Sequence, residues 1–189
     1  MAVLSQMTSS VKFTYEDFLL FPDDGRRHEL IDGEHYVSPS PVTKHQRVLM
    51  KLLGCLIPFV DARHEGHLFC APMDVVLSDG DVVEPDLLYI SAGRESIITQ
   101  KNIQGAPDLV IEILSEGSRK RDEIVKRKLY ERHGVLEYWI VDPDLETVKV
   151  YQSVEGRYAR TAELSGEGTS VLTSARFPGL EIPLSEIFG

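Results

Sequence analysis

Residues 107–115, Pro-Asp-Leu-Val-Ile-Glu-Ile-Leu-Ser, decide the fold that the sequence predicts. Their nearly continuous apolar run, residues 108–114, is typical of a β-strand that is buried on both faces of a sheet. Glu112 stands inside this run. Because desolvating a lone carboxylate is costly, such a residue needs a partner, a proton or a metal ion. The stretch therefore predicts a central strand that carries a functional acid.

A second carboxylate has a similar setting on the preceding strand. Asp86 lies in residues 82–88, Val-Val-Glu-Pro-Asp-Leu-Leu, among strand-forming neighbours. If the two strands are adjacent, Asp86 and Glu112 form an oxygen-rich pair of the kind that suits Mg²⁺ or Mn²⁺, which keep several waters and bind substrate phosphate. The alternative is that Asp86 ends a strand while Glu112 faces solvent at a sheet edge.

The sequence around these strands predicts helices and hairpins on both sides. The first predicted elements are an opening helix at 15–20 capped by Thr14, a hairpin turning at Asp32-Gly33, and a helix at 42–59 opened by Ser40-Pro41 and ended or kinked by Pro58. Strands at 67–77 and 82–90 follow, then a helix at 119–133 stopped by Gly134 and a strand at 137–142. The last elements are a hairpin of 148–152 and 157–162 around Glu155-Gly156 and a closing helix at 183–188. This order predicts an α/β fold in which a mixed central sheet is flanked by helices.

Length and composition predict a single domain over residues 1–189. The apolar fraction of 42% and the charged fraction of 26% are ordinary for a globular protein. No apolar run approaches the roughly 20 residues that a bilayer crossing needs. Residues 1–12 lack the layout of a signal peptide, so we expect a cytoplasmic protein. Cys55 and Cys70 have no zinc-ligand spacing, which predicts reduced thiols.

The formal net charge of −10 argues against a protein that coats nucleic acid by bulk attraction. One segment is strongly basic, and its members are Arg119, Lys120, Arg121, Lys126, Arg127, Lys128 and Arg132. This segment is either a solvated helix face or a surface that contacts phosphates.

The spacing of several motifs resembles that of a known nuclease superfamily. Pro85-Asp86 followed by Glu112-Ile113-Leu114 resembles the PD-(D/E)XK motif, although Leu114 stands where most such nucleases have lysine. The later sequence looks like the Uma-type endonuclease family, a bacterial branch of that superfamily. The matching residues are Asp122, Lys126, Tyr130, Gly134-Val135 and 137–143, together with 29–34, Ser38-Pro39 and His45.

The resemblance implies a restriction-endonuclease-like core at 41–143, with an N-terminal helix and hairpin at 1–40 and a C-terminal β extension at 144–189. It also implies a Mg²⁺- or Mn²⁺-dependent endonuclease that hydrolyses the phosphodiester bonds of DNA. Side chains of Asp86 and Glu112 and the backbone carbonyl of Ile113 would bind the metal. A homodimer is expected from the superfamily.

Further residues are assigned by position on the predicted elements. Asp122, Lys126 and Tyr130 recur every four residues and share one helix face. Lys126 therefore either leans toward Glu112 as a relocated catalytic lysine or pairs with Asp122 at the surface. Tyr130 either bonds a carboxylate or packs in the core.

His45 is either a polar active-site residue or an ordinary helix residue. Glu29 either faces the same cleft or pairs with Arg26 or Arg27. Residues proposed to hold the nucleic-acid backbone are Arg119, Lys120, Arg121 and Arg127.

Two rival readings share the predicted fold. One is a catalytically inactive module that binds nucleic acid or a protein, which Leu114 and the net charge favour. The other is a structural dimer that pairs through the exposed strand of the 148–162 hairpin.

Overall fold

The computed structural model describes residues 11–189, so the predictions for residues 1–10, including the absence of a signal peptide, lie outside the described residues. The helices in this range are α1 (Tyr15–Phe18), α2 (Thr43–Arg63), a 3₁₀ helix (Ala92–Ile97), a π-helical turn (Arg121–Lys126) that runs directly into α3 (Arg127–His133), and α4 (Leu184–Phe188). Within residues 11–189, none of these helices is both long and apolar enough to span a bilayer.

The strands are short and numerous. In chain order they are β1 (Arg27–Ile31), β2 (Glu34–Ser38), β3 (Gly66–Cys70), β4 (Val75–Ser78), β5 (Asp81–Val83), β6 (Leu87–Ser91), β7 (Ile103–Gln104), β8 (Leu109–Ile113), β9 (Glu137–Asp142), β10 (Thr147–Val154), β11 (Arg157–Ser165), β12 (Val171–Leu172) and β13 (Ile182–Pro183).

The largest sheet has six strands in the order β11-β10-β9-β8-β6-β3. It is mixed, because β8 runs parallel to β9 and antiparallel to β6. A second sheet, β2-β1-β5-β4-β7, contains the N-terminal hairpin. The predicted α/β architecture, with a mixed sheet flanked by helices, is confirmed.

Strand β8 lies at the centre of the fold and is buried on both faces, as its apolar run predicts. Its residues Leu109, Ile111 and Ile113 join the core cluster formed with α2 and the C-terminal segment. Val110 joins the opposite cluster, where Leu129 and Tyr130 of α3 pack. Glu112 points to the α3 side, and this placement sets up the site described below.

Two strands that the sequence predicts as single pieces are each divided. Residues 67–77 form β3 and β4, and residues 82–90 form β5 and β6, with each half in a different sheet. Pro72 and Pro85 lie in the interruptions. Proline has no N–H to donate to a ladder, so it ends strand pairing at both points.

The long helix α2 also differs from its predicted bounds. It begins at Thr43, with Val42 at the cap position and no side-chain cap from Ser40. It continues through Pro58 to Arg63, so of the two predicted effects of Pro58, ending or kinking the helix, the first does not occur. The last turn buries Val60 in the core, and this burial offsets the hydrogen bond that proline cannot make.

The remaining local predictions agree with the structure. Thr14 caps α1 in a reciprocal capping box with Asp17, and Gly134 ends α3 in a left-handed conformation. The hairpins at Asp32-Gly33 and Glu155-Gly156 are present. The π-helical turn at the start of the predicted 119–133 helix has no signal in the sequence.

Candidate active site

A half-open cavity of about 280 Å³ lies between the β1–β2 hairpin, the start of α2, the adjoining ends of β6 and β8, and the π-helical turn. Five buried carboxyl groups line it, and they belong to Glu29, Glu84, Asp86, Glu112 and Asp122. Three cationic side chains also line it, those of Arg27, Arg121 and Lys126.

The register between β6 and β8 places Asp86 next to Glu112. Leu87 of β6 lies opposite Ile111 of β8 in the antiparallel ladder, so the next step places Asp86 beside Glu112. The backbone N–H of Ile113 donates to Oδ2 of Asp86 at 2.8 Å, which fixes the carboxylate at this sheet edge. The alternative in which Glu112 faces solvent is wrong, since both acids are buried.

Asp86 is held by two positively chargeable side chains. Arg27 donates from Nη1 to Oδ1 at 2.6 Å, and Nε2 of His45 lies 3.0 Å from Oδ2. Although burial alone would raise the pKa of Asp86, His45 and Arg27 together keep it below its ordinary value. Asp86 is therefore ionised at neutral pH. Nδ1 of His45 is buried and has no hydrogen-bond partner.

Glu112 is buried in the wall of the cavity. Its Oε1 accepts hydrogen bonds from Lys126 Nζ at 2.8 Å and from Tyr130 Oη at 2.7 Å. Burial raises the pKa of Glu112 to about 8, a rise that nearby Asp122 adds to and Lys126 opposes. The positive charge near Glu112 is therefore too small to keep its pKa at the ordinary value.

Lys126 lies inside the cavity wall, with 3% of its side chain exposed. Its Nζ is 2.6 Å from Oε1 of Glu29 and 3.8 Å from Oδ1 of Asp122. Burial by itself would lower the pKa of Lys126, but Glu112, Glu29 and Asp122 raise it well above the ordinary value, so the amine is charged. The alternative of a surface lysine paired with Asp122 is wrong.

Three further acids complete the cavity. Glu29 accepts a hydrogen bond from the backbone N–H of Glu84 at 3.0 Å, which joins the hairpin to the segment before Asp86. Burial raises the pKa of Glu84 to about 7 and that of Asp122 to about 6. Oδ1 of Asp122 is buried without a hydrogen-bond partner.

The basic residues predicted to hold nucleic acid do not form one surface. Arg121 lines the cavity, bonds Ser38 Oγ and lies 3.7 Å from Glu29. Arg119 is tied by two hydrogen bonds to Asp142. Arg127 turns away to the carbonyl of Glu123 and the ring of Tyr151, and Lys120 is exposed.

The sequence did not predict that Arg27 and Glu84 line the cavity. Arg27 was considered only as a partner for Glu29, yet it pairs with Asp86 instead. Glu84 directly precedes Pro85-Asp86, and this position was the only feature of the sequence that could have indicated a place in the cavity. The candidate residues Asp86, Glu112, Lys126, His45, Glu29, Asp122 and Ile113 all line the cavity, with Tyr130 behind Glu112.

The mixed sheet, with two acids where β6 and β8 adjoin and a lysine from the following helix, defines a restriction-endonuclease-like fold. A model of the Uma2 family, described as "Putative restriction endonuclease", matches residues 15–185. The chain belongs to the Uma2 family, and the resemblance noted in the sequence is confirmed.

A solved structure agrees on the fold. A crystal structure described as a "putative nuclease belonging to DUF820" from Anabaena variabilis has a TM-score of 0.78, with 23% identity over 93% of this chain and 97% of that chain. The type IIG restriction endonuclease BpuSI matches at a TM-score of 0.41 and 13% identity, over 80% of this chain and 16% of that chain. No curated protein matches the chain.

Proposed function

We propose that this protein is a metal-dependent nuclease that hydrolyses phosphodiester bonds of nucleic acid, with DNA as the substrate. The observation that carries the proposal is the convergence of Asp86, Glu112 and Lys126, from three separate segments, in one cavity. Membership of a family described as "Putative restriction endonuclease" adds support, as does the description of the Anabaena variabilis relative as a nuclease.

The donor chemistry of the cavity fits a hard divalent cation. Carboxylate oxygens dominate the buried polar lining, and Oδ1 of Asp122 is buried without a hydrogen-bond partner, with Lys126 Nζ 3.8 Å away. Within residues 11–189, no three His, Cys, Asp or Glu side chains form a complete ligand cluster. Mg²⁺ is commonly bound through one or two carboxylates and keeps several waters, so the pair Asp86 and Glu112 is the candidate ligand set.

In this proposal Asp86, Glu112 and the carbonyl of Ile113 would hold the metal. A divalent cation held there would supply Lewis acidity that makes water a better nucleophile, and it would neutralise charge on the phosphate. Arg27 and His45 keep Asp86 ionised and fix its orientation.

Lys126 supplies the positive charge that Leu114 cannot. Leu114 is buried in the apolar core, away from any polar role. The Lys126 ammonium lies beside Glu112, where it can hold the attacking water or stabilise negative charge in the transition state. The helix that follows β8 thus provides the lysine that related nucleases have within the motif.

We also propose a cytoplasmic homodimer, but not one that pairs through the edge strand β11. That strand carries a bulge opposite Val150 and Tyr151 and exposed charges at Arg160 and Glu163. The backbone N–H of Tyr158 donates a hydrogen bond to Oε2 of Glu131, so it is not free to pair with another strand. These features are the devices by which natural edge strands avoid pairing, so they argue against the purely structural dimer.

The decisive experiment incubates purified protein and labelled single- and double-stranded DNA and RNA with Mg²⁺ or Mn²⁺. Asp86→Asn and Lys126→Ala are tested beside the parent, with Asp144→Asn and Lys149→Ala as matched controls outside the cavity. The proposal expects metal-dependent cleavage that disappears in the first two variants and persists in the controls.

Other results separate the rivals. Cleavage that survives in Lys126→Ala alone would keep the nuclease but remove the lysine assignment. A folded parent that cleaves none of the substrates would refute the nuclease and favour the inactive binding module.

A further inference from the structure

The reacting groups of the proposed nuclease lie at the bottom of a narrow cavity. Asp86, Glu112 and Lys126 each have 3% of their side chains exposed, and the cavity measures about 280 Å³. This volume is at the lower end of the range for small-molecule sites, about 300–1,000 Å³. A scissile phosphodiester must therefore enter the cavity, and there is no room for a neighbouring paired strand to enter with it.

The mouth of the cavity is narrowed from two sides. Residues 38–42, between β2 and α2, form one rim, and residues 115–118, between β8 and the π-helical turn, form the other. Arg121 reaches from the π-helical turn to Ser38 Oγ and ties these two sides together. A rigid duplex cannot bring its backbone past this contact without opening it.

The 38–42 side of the rim, with neighbouring Val37, has no lysine or arginine and carries apolar side chains beside its two serines, whereas the 115–118 side is polar. Pro39 and Pro41 line the 38–42 side, and Val37 and Val42 have 43% and 63% of their surfaces exposed there. The faces of unpaired bases are apolar and available for packing, whereas a duplex hides them in its stack. This side of the rim therefore favours unpaired bases over a closed duplex.

Several cations on the elements that form the cavity are paired with carboxylates, although Lys120 is exposed. Arg119 is tied to Asp142, Lys44 is paired with Asp144 at 3.0 Å, and Arg27 is paired with Asp86. Duplex binding draws most of its affinity from phosphate contacts made by free Lys and Arg. A net charge of −10 adds long-range repulsion, which is stronger for a duplex than for a single strand because a duplex carries more phosphates per unit length.

We infer that the cavity takes single-stranded nucleic acid, or the unpaired end of a duplex, in preference to closed duplex. The inference rests on the proposed nuclease function and names its substrate class. One strand enters with one or two phosphates inside the cavity, while its bases pack on the Val37–Val42 rim.

The test compares three labelled DNAs of one sequence: a single strand, a duplex with a single-stranded overhang, and a closed duplex in the form of a relaxed, covalently closed circle without unpaired nucleotides. Initial cleavage rates are measured with Mg²⁺ or Mn²⁺. We expect the first two substrates to be cut at least about tenfold faster than the closed duplex, a discrimination of about 1.4 kcal/mol. Equal or faster cutting of the closed duplex would overturn the inference while leaving the nuclease intact.

A binding measurement tests the inference independently of cleavage. If no substrate is cleaved, the proposed function is refuted, but the preference for single strands can still be measured. Fluorescence anisotropy follows the same DNAs with the full chain over a range of salt concentrations. One or two phosphate contacts predict tighter binding of the single strand and a log–log salt slope of about −0.7 to −1.4. Tighter binding of the closed duplex, with a slope of about −5 or steeper, would overturn the preference for single strands.

Discussion

Replacing Lys126 with methionine removes the charge from the cavity while keeping most of the aliphatic stem. The ammonium lies 2.6 Å from Glu29 and 2.8 Å from Glu112, and these three side chains are 2–3% exposed. Breaking a buried ion pair by removing one partner costs about 3–5 kcal/mol, because the other charge stays buried without compensation. We expect Lys126→Met to lose free energy of unfolding of that order at pH 8.5.

The loss should shrink at lower pH. Burial already raises the pKa of Glu112 to about 8, and without Lys126 the folded-state pKa rises further. A carboxyl whose pKa is higher in the folded than in the unfolded chain destabilises the fold as pH rises, because only the unfolded chain then ionises freely. Below this range the folded variant protonates the carboxyl and avoids the buried charge.

Urea unfolding followed by the fluorescence of Trp139, the single tryptophan of the chain, measures both effects at pH 5.5 and 8.5. Lys149→Met is the matched control, because Lys149 pairs with Glu123 at 2.7 Å but is 26% exposed. That surface pair should contribute less than about 1 kcal/mol at either pH. A loss in Lys126→Met no larger than the control, or equal at both pH values, would refute the reasoning.

Two other substitutions probe the packing around the cavity and the hairpin that forms its wall. Tyr130→Phe removes the 2.7 Å hydrogen bond to Glu112 and should lower the free energy of unfolding by about 1–3 kcal/mol, measured by urea unfolding at pH 7. Asp81→Asn removes an acceptor that binds Ser78, the N–H of Asp32 and His133, and it should cost about 1–3 kcal/mol at neutral pH. Burial alone would raise the pKa of Asp81, but these contacts hold it well below its ordinary value, so its stabilisation is present above about pH 4 and is lost as pH falls further. A penalty for Asp81→Asn that is unchanged at pH 3 would contradict this sign.

The buried strand and its acid were predictable because desolvation makes an acid in an apolar run informative. Glu112 is flanked by apolar residues on both sides, and the structure places it in contact with a buried lysine. Lys126 was predictable from helical phase, since it lies four residues from both Asp122 and Tyr130. The π-helical turn was not, because its wider hydrogen-bonding pattern leaves no mark on residue spacing.

Arg27 and the division of the strands depend on tertiary structure that local sequence does not encode. Arg27 and Asp86 are 59 positions apart and meet only because β1 pairs with β5, which precedes Asp86. The path of α2 through Pro58 likewise depends on the burial of Val60 by distant segments. Local signals gave the right residue types at these points and the wrong boundaries.

The central claim is that Asp86 and Glu112 together hold a divalent cation, and titration calorimetry with Mn²⁺ tests it most directly. The parent, Asp86→Asn, Glu112→Gln and the exposed control Asp144→Asn are titrated under the same conditions. The account predicts that the parent and Asp144→Asn bind Mn²⁺ alike, and that each cavity variant weakens binding by at least about tenfold, the smallest loss expected even for residues behind the ligands. Unchanged Mn²⁺ affinity in both cavity variants would contradict the account.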